Sequence, residues 1–382
     1  MKSYIWQHND WQGHPAPKFR WQMESLHPLI ERLQCLLSDF LLPEAEIISN
    51  AQMQVHIDTL VQSAIRSSEI EGEILDARSV RSSVVNKLGL QSAGIAESGT
   101  AQTDALAELL ITATTHLEQP LTLATLCEWQ AALFVTPGPL LSVNIGRLRG
   151  DGPMQVVSGR IDRPHVHFEA PPGNVLEHEL TRFLQWFNYP PTELDPYLRA
   201  AITHLWFVTI HPFDDGNGRV TRALADRALA QAENNSVRFY SHSAAIMVKR
   251  SEYYTLLEKT QQGTLEITEW IHWFLATLID AVVLSRTRFE QVLYKTRFWQ
   301  KHAQTVLNER EVKVLNRLLD AHGEEFTEGI NATKYRSLAK VSKATATREL
   351  ADLVKKGCLV KLPGGGRSTR YALSRTVTTI PI

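Results

Sequence analysis

Apolar residues recur with helical spacing along most of this chain. Over 52–75, Val55, Leu60, Val61, Ala64, Ile65 and Ile70 can share one broad face, and Gly72 follows where a helix stop belongs. The same spacing predicts helices over 25–42, 103–116, 122–134, 175–187, 196–210, 219–233, 251–261 and 267–298. Two short runs, 154–157 and 165–168, have turn residues between them and predict a β-hairpin spanning 154–168. The Ser/Gly/Ala stretch 91–99 reads as a loop, and 136–152 is too dense in Gly and Pro to be one helix. Ahead of the first helix, Trp6, Trp11 and Trp21 punctuate a polar, proline-containing stretch, the pattern of an irregular arm with aromatic anchors.

Beyond residue 301 the grammar changes. Three short helices are predicted over 309–322, 333–339 and 343–356. Two strand-like runs, 358–362 and 369–373, then flank Pro363-Gly364-Gly365-Gly366. Three helices and a glycine-tipped hairpin form a winged helix-turn-helix pattern. The expected organisation is an arm and helical segment over 1–99, a helical core over 100–298 and a winged-helix domain over 305–375, with the boundary near 299–308.

Composition changes this picture little. The chain has 382 residues, 43% hydrophobic and 21% charged, which argues against wholesale disorder and leaves ample chain for a core. Net charge is −1, from 40 basic and 41 acidic residues, so whole-chain charge points to neither nucleic acid nor membrane. Locally the balance tilts: 331–375 holds 11 Lys/Arg and two acidic residues, a net of +9. Cys35, Cys127 and Cys358 form no CxxC pair, so neither a zinc site nor a disulfide framework is indicated. No stretch looks long and apolar enough for a signal peptide or a membrane span, and a cytoplasmic location is the expectation.

The chemistry concentrates in His211-Pro212-Phe213-Asp214-Asp215-Gly216-Asn217-Gly218-Arg219-Val220-Thr221-Arg222, between two apolar helices. Gly216 and Gly218 allow a tight turn with inward N–H groups, and a helix N-terminus follows at once; together these make a nest for phosphate. Arg219 and Arg222 lie one turn apart on that first turn, where cations oppose the helix dipole. A bound anion would resolve that conflict. Asp215 can hold a hard divalent cation beside phosphate oxygens, and His211 can take a proton near neutral pH. The alternative is a plain helix–loop–helix turn with solvated arginines.

The segment matches in full the signature HPFxDGNGRxxR, and on it the chain resembles the Fic family across about 100–290. The Trp-rich start also resembles the arm of Fic proteins that carry a C-terminal winged helix. The resemblance implies an all-α Fic fold with a small β-hairpin flap, and transfer of AMP from ATP to a protein hydroxyl with release of pyrophosphate. On this chain it implies His211 as the base and Mg²⁺ on Asp215. It further implies the amides of Gly216, Asn217 and Gly218 together with Arg219 around the phosphates, and Arg222 on the γ-phosphate.

Other roles follow from the same resemblance. The hairpin would hold a target protein by strand addition, with Val156, Val157, Ser158 and Gly159 reaching over the nucleotide. Tyr253 and Tyr254 match a frequent Tyr-Tyr pair and imply an adenine neighbour, with Gln261 two turns later placed to bond the base. Ser67-Ser68-Glu69-Ile70-Glu71-Gly72 fits the inhibitory pattern [ST]xxxE[GN], making Glu71 the inhibitory carboxylate, Ser67 its companion and Gly72 the closing residue. Two readings come from the residues themselves. His165 and His167 would share a strand face and suggest a metal pair, but with no third ligand nearby a plain flap strand is expected. In the winged helix, Thr345 and Thr347 are short polar residues at the start of the recognition helix, with Lys343, Arg348, Arg367 and Arg370 as phosphate partners; docking to DNA or to a protein both stay open, as does a homodimer.

The reading is a Fic-type protein adenylyltransferase using ATP and Mg²⁺, inhibited by its own Glu71. The rivals are another nucleotidyl or phospho-transfer, or AMP removal, on the same scaffold, and a DNA-binding regulator whose core senses a nucleotide.

Overall fold

The computed structural model describes residues 3–38, 47–90, 99–135, 143–160, 163–320, 326, 328–364 and 369–374. These divide into two compact units, 1–43 with 52–286 and 44–51 with 287–382.

The first unit opens with two 3-10 turns, Ile5–Gln7 and Asn9–Gln12. They are pinned by indoles: Trp6 Nε1 donates to the Glu169 carbonyl at 2.7 Å, and Trp11 Nε1 to the buried Glu179 carboxylate at 3.0 Å. Helices α1 (Met23–Ser38) and α2 (Ile47–Ile70) follow, with α1 burying Leu26, Ile30, Leu33 and Leu37, an i, i+4, i+7, i+11 stripe. Next come α3 (Ala77–Lys87), α4 (Ala101–Thr114) and α5 (Leu123–Ala132), each started by a side-chain cap, from Asp76, Thr100 and Thr122.

The hairpin consists of β1 (Gln155–Arg160) and β2 (Arg163–Glu169), antiparallel, with Val156 opposite Phe168 and Ser158 opposite His165. Then come α6 (Leu176–Asn188), α7 (Pro196–Ile210), α8 (Asn217–Glu233), α9 (His242–Val248), α10 (Arg250–Gln261) and α11 (Thr268–Lys301). Helix α7 begins with Pro196 at its first turn under an Asp195 cap, and every residue from Tyr197 to Ile210 is buried. A helix apolar on all sides must lie at the centre. Trp206 takes edge-on contacts from Trp11, Phe19 and Phe183, and α7 packs on α8.

The second unit contains α12 (Glu309–Asp320), α13 (Ala332–Ala339), α14 (Lys343–Lys355) and the antiparallel pair β3 (Leu359–Lys361) and β4 (Tyr371–Leu373). Val314, Leu315, Ile330, Tyr335, Leu350, Leu353 and Cys358 build its core. Tyr335 Oη donates to Glu349 at 2.8 Å, and Arg310 pairs with the same carboxylate at 2.7 Å.

The structure departs from the pattern-based expectations in identifiable ways. Helices α3 and α9 were not expected; α3 carries Ser82, Ser83 and Arg81 among its valines, which blurs the apolar period. Helix α2 ends at Ile70, before 75, so Glu71 and Gly72 form the turn after it. The division between units falls at 286/287, inside the continuous α11, and not at 299–308. Within the expected 91–99 loop, 91–98 lie outside the described residues, as do 136–142 and Gly365-Gly366 of the hairpin tip.

Candidate active site

The loop 211–216 joins the buried α7 to α8. Its shape is set by backbone geometry at both ends. His211 closes α7 in a left-handed conformation, φ 51°, and Gly216 opens α8 with φ 86°. A side chain at Gly216 would fall 2.9 Å from Leu133 Cδ1, so glycine is required there both by φ and by space. Asn217 braces the loop across itself: its Oδ1 accepts from Phe213 N at 2.9 Å and its Nδ2 donates to Phe213 O at 2.7 Å. Asp214 accepts from Asn144 N at 2.9 Å, and Gln130 Nε2 donates to the Asp215 carbonyl at 3.3 Å. These hydrogen bonds tie the loop to itself and to residues 130 and 144 without any ligand.

His211 Nδ1 lies 3.1 Å from the Val208 carbonyl oxygen. That oxygen can only accept, so the Nδ1–H tautomer is fixed and Nε2 carries the lone pair. Burial is the main cause that pushes the imidazole pKa down to about 4; the Val208 carbonyl, Glu71 and Asp215 push the other way, and Arg149 adds to the lowering. The imidazole is therefore neutral at neutral pH, the form a general base must start from. Arg149 also positions it, donating from Nε to the His211 carbonyl at 2.8 Å and from its backbone N to Pro212 O at 3.0 Å.

The two arginines of the first two turns of α8 are both occupied. Arg222 Nη2 lies 2.8 Å from Glu71 Oε1, while its Nε donates to Ser67 Oγ and its Nη2 to Ser67 O, each at 2.8 Å. Its Nη1 is buried with no hydrogen-bond acceptor. Burial works against the Arg222 charge, and Glu71 together with Tyr253 and Tyr254 more than offsets it, so the pKa is raised. Arg219 lies over the Phe134 ring and pairs with Glu73 at 2.9 Å, with Asp215 at 3.9 Å. Glu73 also accepts from Gln102 Nε2. A Cβ at Gly218 would come 2.1 Å from Glu71 Oε1, so this carboxylate sits directly over the start of α8, where an anion would bind. Gly72, φ 86°, makes the turn that delivers Glu71 and Glu73 to adjacent arginines.

Asp215 is half exposed and accepts from Gly216 N at 2.5 Å. One hard carboxylate next to an anion nest is the donor set that suits Mg²⁺ bound mainly by phosphate and water oxygens. The residues present therefore fit that ion.

The other expected site residues lie on α10 and the hairpin. Tyr253 is buried, its Oη 3.0 Å from His204 Nε2, and Gln261 is buried with Nε2 donating to Thr209 Oγ1 at 3.2 Å. Both were expected beside adenine. They lie on the inner face of α10 with Leu257, two turns apart. Tyr254 donates to the Ile70 carbonyl at 3.1 Å, and Arg250 to the same oxygen at 2.8 Å, so this end of α10 caps α2. On the hairpin, Val156 packs with Tyr4 and Phe168, Val157 is 51% exposed, and Gly159 has φ 91°. Ser158 Oγ lies 2.6 Å from His167 Nε2. The expectation of no third ligand near His165 and His167 is corrected, because the fold brings Glu258 to them.

In the second unit, Lys343 and Arg348 are exposed on α14, Arg370 pairs with Glu328 at 2.9 Å, and Arg367 lies outside the described residues. Sequence reading missed Glu73 and Arg149. The Glu71-Gly72-Glu73 spacing was a usable signal for the first. Arg149 had none, since its partners His211 and Pro171 are distant in the chain.

Residues 120–229 match the Fic/DOC family, and 4–90 match a domain of unknown function (DUF4172). A protein adenylyltransferase Fic of Drosophila mojavensis is 31% identical over 135 residues, 34% of this chain and 25% of that protein. A probable protein adenylyltransferase of Aquifex aeolicus is 29% identical over 102 residues, 27% of this chain and 29% of its own length. The match thus spans about a quarter of these curated relatives. In structure, a Fic family protein from Desulfovibrio desulfuricans G20 superposes with TM-score 0.54 at 17% identity, covering 93% of this chain and 97% of that one. Fic-1 from C. elegans gives TM-score 0.50 at 20% identity over 71% and 73% of the two chains. Among the described residues no helix is long and apolar enough to cross a membrane. With the complete signature at 211–222, these matches make residues 120–229 a Fic/DOC-family domain.

Proposed function

We propose that this protein transfers AMP from ATP to a hydroxyl of a target protein, or of itself, and that Glu71 holds the resting form in check. The observation that carries the reading is His211: neutral, tautomer-fixed through Val208, and set at the mouth of a loop whose two arginines already grip carboxylates.

In the reaction, His211 Nε2 takes the hydroxyl proton as the oxygen attacks the α-phosphorus and pyrophosphate leaves. The amides of Gly216, Asn217 and Gly218 cradle phosphate oxygens, and Arg219 and Arg222 neutralise their charge. The protein contributes positioning and fixed charge more than covalent chemistry. Asp215 would hold Mg²⁺, which supplies further neutralisation of the phosphates when bound. Occupation of Arg222 by Glu71 denies the γ-phosphate its partner, and Glu73 does the same at Arg219. The β1–β2 hairpin, with Val156 to Gly159 along one strand, holds the target by strand addition.

Intact-mass analysis after incubation with ATP and Mg²⁺ tests the chemistry. A gain of one AMP supports it; a gain of phosphate alone, or of UMP when UTP is supplied, selects another transfer on the same scaffold.

The second unit reads as a winged helix that docks nucleic acid, on the strength of exposed Lys343 and Arg348 along α14 and the local excess of basic residues. Replacing both by Ala should flatten the salt dependence of DNA binding by about two units of slope; an unchanged slope assigns the unit to protein docking.

A further inference from the structure

We propose that His165, His167 and Glu258 form a site for one divalent transition-metal ion of the Zn²⁺ class, tying the β1–β2 hairpin to α10.

Alternation along β2 puts the two imidazoles on one face of the strand, their ring centroids 4.6 Å apart and nearly perpendicular. Glu258 reaches the same point from α10, and the nearest nitrogen and oxygen atoms of the three side chains lie within 4.8 Å of one another. His167 Nδ1 is 2.6 Å from Glu258 Oε2, and His165 Nε2 is 3.9 Å from Glu258 Oε1. Ligand atoms about 3.3 Å apart suit a tetrahedral ion with bonds of about 2.0–2.2 Å. The close pair therefore opens slightly and His165, which is 62% exposed, swings in.

The surrounding groups favour an ion over a chance cluster. His167 Nε2 faces Ser158 Oγ at 2.6 Å, which leaves Nδ1 directed at the site. Gln262 Nε2 donates to Glu258 Oε1 at 2.9 Å and to the His167 carbonyl at 2.7 Å. One side chain thus orients two of the three ligands, the outer support that metal-bound imidazoles and carboxylates require. Two imidazoles and one carboxylate select Zn²⁺, Co²⁺ or Ni²⁺ over Mg²⁺, which takes oxygen ligands in octahedral geometry. This site is therefore chemically separate from Asp215, and its three protein ligands leave a fourth position for water. Its ligands come from residues 165, 167 and 258, so the ion links the hairpin to a helix 91 residues further along the chain.

The test uses the full chain stripped of metal. Titration with ZnCl₂ followed by calorimetry should show one ion bound per chain, and Co²⁺ should give the visible absorption of a tetrahedral site. His165→Ala changes an exposed side chain and leaves the fold intact, as circular dichroism will verify; it should weaken Zn²⁺ binding at least tenfold and abolish the Co²⁺ bands. In the wild type only, Zn²⁺ should slow amide exchange across 155–169. Absence of binding, or binding and Co²⁺ bands unaltered in His165→Ala combined with His167→Ala, overturns the proposal.

Discussion

Glu71 Oε1 and Arg222 Nη2 lie 2.8 Å apart at the meeting of the α2 C-terminus and the α8 N-terminus. Glu71 sits just past the α2 C-terminus, where the dipole disfavours an anion, and Arg222 sits in the second turn of α8, near the end that disfavours a cation. Pairing offsets both, and the Arg222 side chain is only 2% exposed while that of Glu71 is 32% exposed, so the pair is shielded from solvent on the Arg222 side. Glu71→Gly should free Arg222 and raise the rate of AMP transfer about 5–150-fold, as expected for a coupling of about 1–3 kcal/mol. The double change Glu71→Gly with Arg222→Ala should be inactive. Self-modification rates at saturating ATP and Mg²⁺ decide it; a single variant no faster than wild type removes Glu71 from an inhibitory role.

His211→Ala should cost about 10²–10⁴-fold in transfer, the usual loss of a general base. Nucleotide affinity should hold within severalfold, because the phosphate cradle is made by loop amides and arginines. Single-turnover rates and ATP affinity are measured side by side. Transfer within tenfold of wild type would show that another group takes the proton.

Asn217→Ala should destabilise the first unit. It removes both hydrogen bonds to Phe213 and leaves that residue's N–H and C=O without partners in a buried setting. Each such loss costs about 1–3 kcal/mol. Urea unfolding reads the effect, and a midpoint equal to wild type would mean that water or backbone movement replaces the brace.

Acid should destabilise the fold through its buried imidazoles. Burial pushes His242 down to about 3 and His211 to about 4, and holds His204 well below its ordinary value. An unfolded imidazole titrates near 6.5. From about pH 6.5 down to 4 the unfolded chain therefore takes up protons that the folded chain refuses, and stability present above 6.5 is lost as pH falls. Asp226 acts in the opposite sense, since burial pushes its carboxyl up to about 6 and the folded chain holds that proton. Removing one imidazole isolates its share. The melting-temperature gap between wild type and His242→Gln should be widest at pH 7.5 and shrink towards pH 5; a constant gap would refute the assignment.

The elements most legible in the sequence were those with a strong local period or a local stop. Helix α7 was expected over exactly its observed span, because Asp195 and Pro196 mark its start and unbroken apolar sequence follows. The loop 211–216 was legible because its demands are local: a glycine at 216, where φ is positive, and arginines one turn apart. The pairing of two misplaced charges was legible in principle for the same reason, since each dipole conflict is a property of its own helix.

Tertiary structure decided what sequence spacing cannot carry. Which groups an aromatic on α10 meets depends on the elements packed against it, and Tyr253 meets His204 and Arg222. Glu73 meets Arg219 across 146 residues, and Glu258 meets His167 across 91. Such contacts arise only when the packing of whole helices has fixed the distance between their surfaces, and no local pattern in the chain encodes that distance.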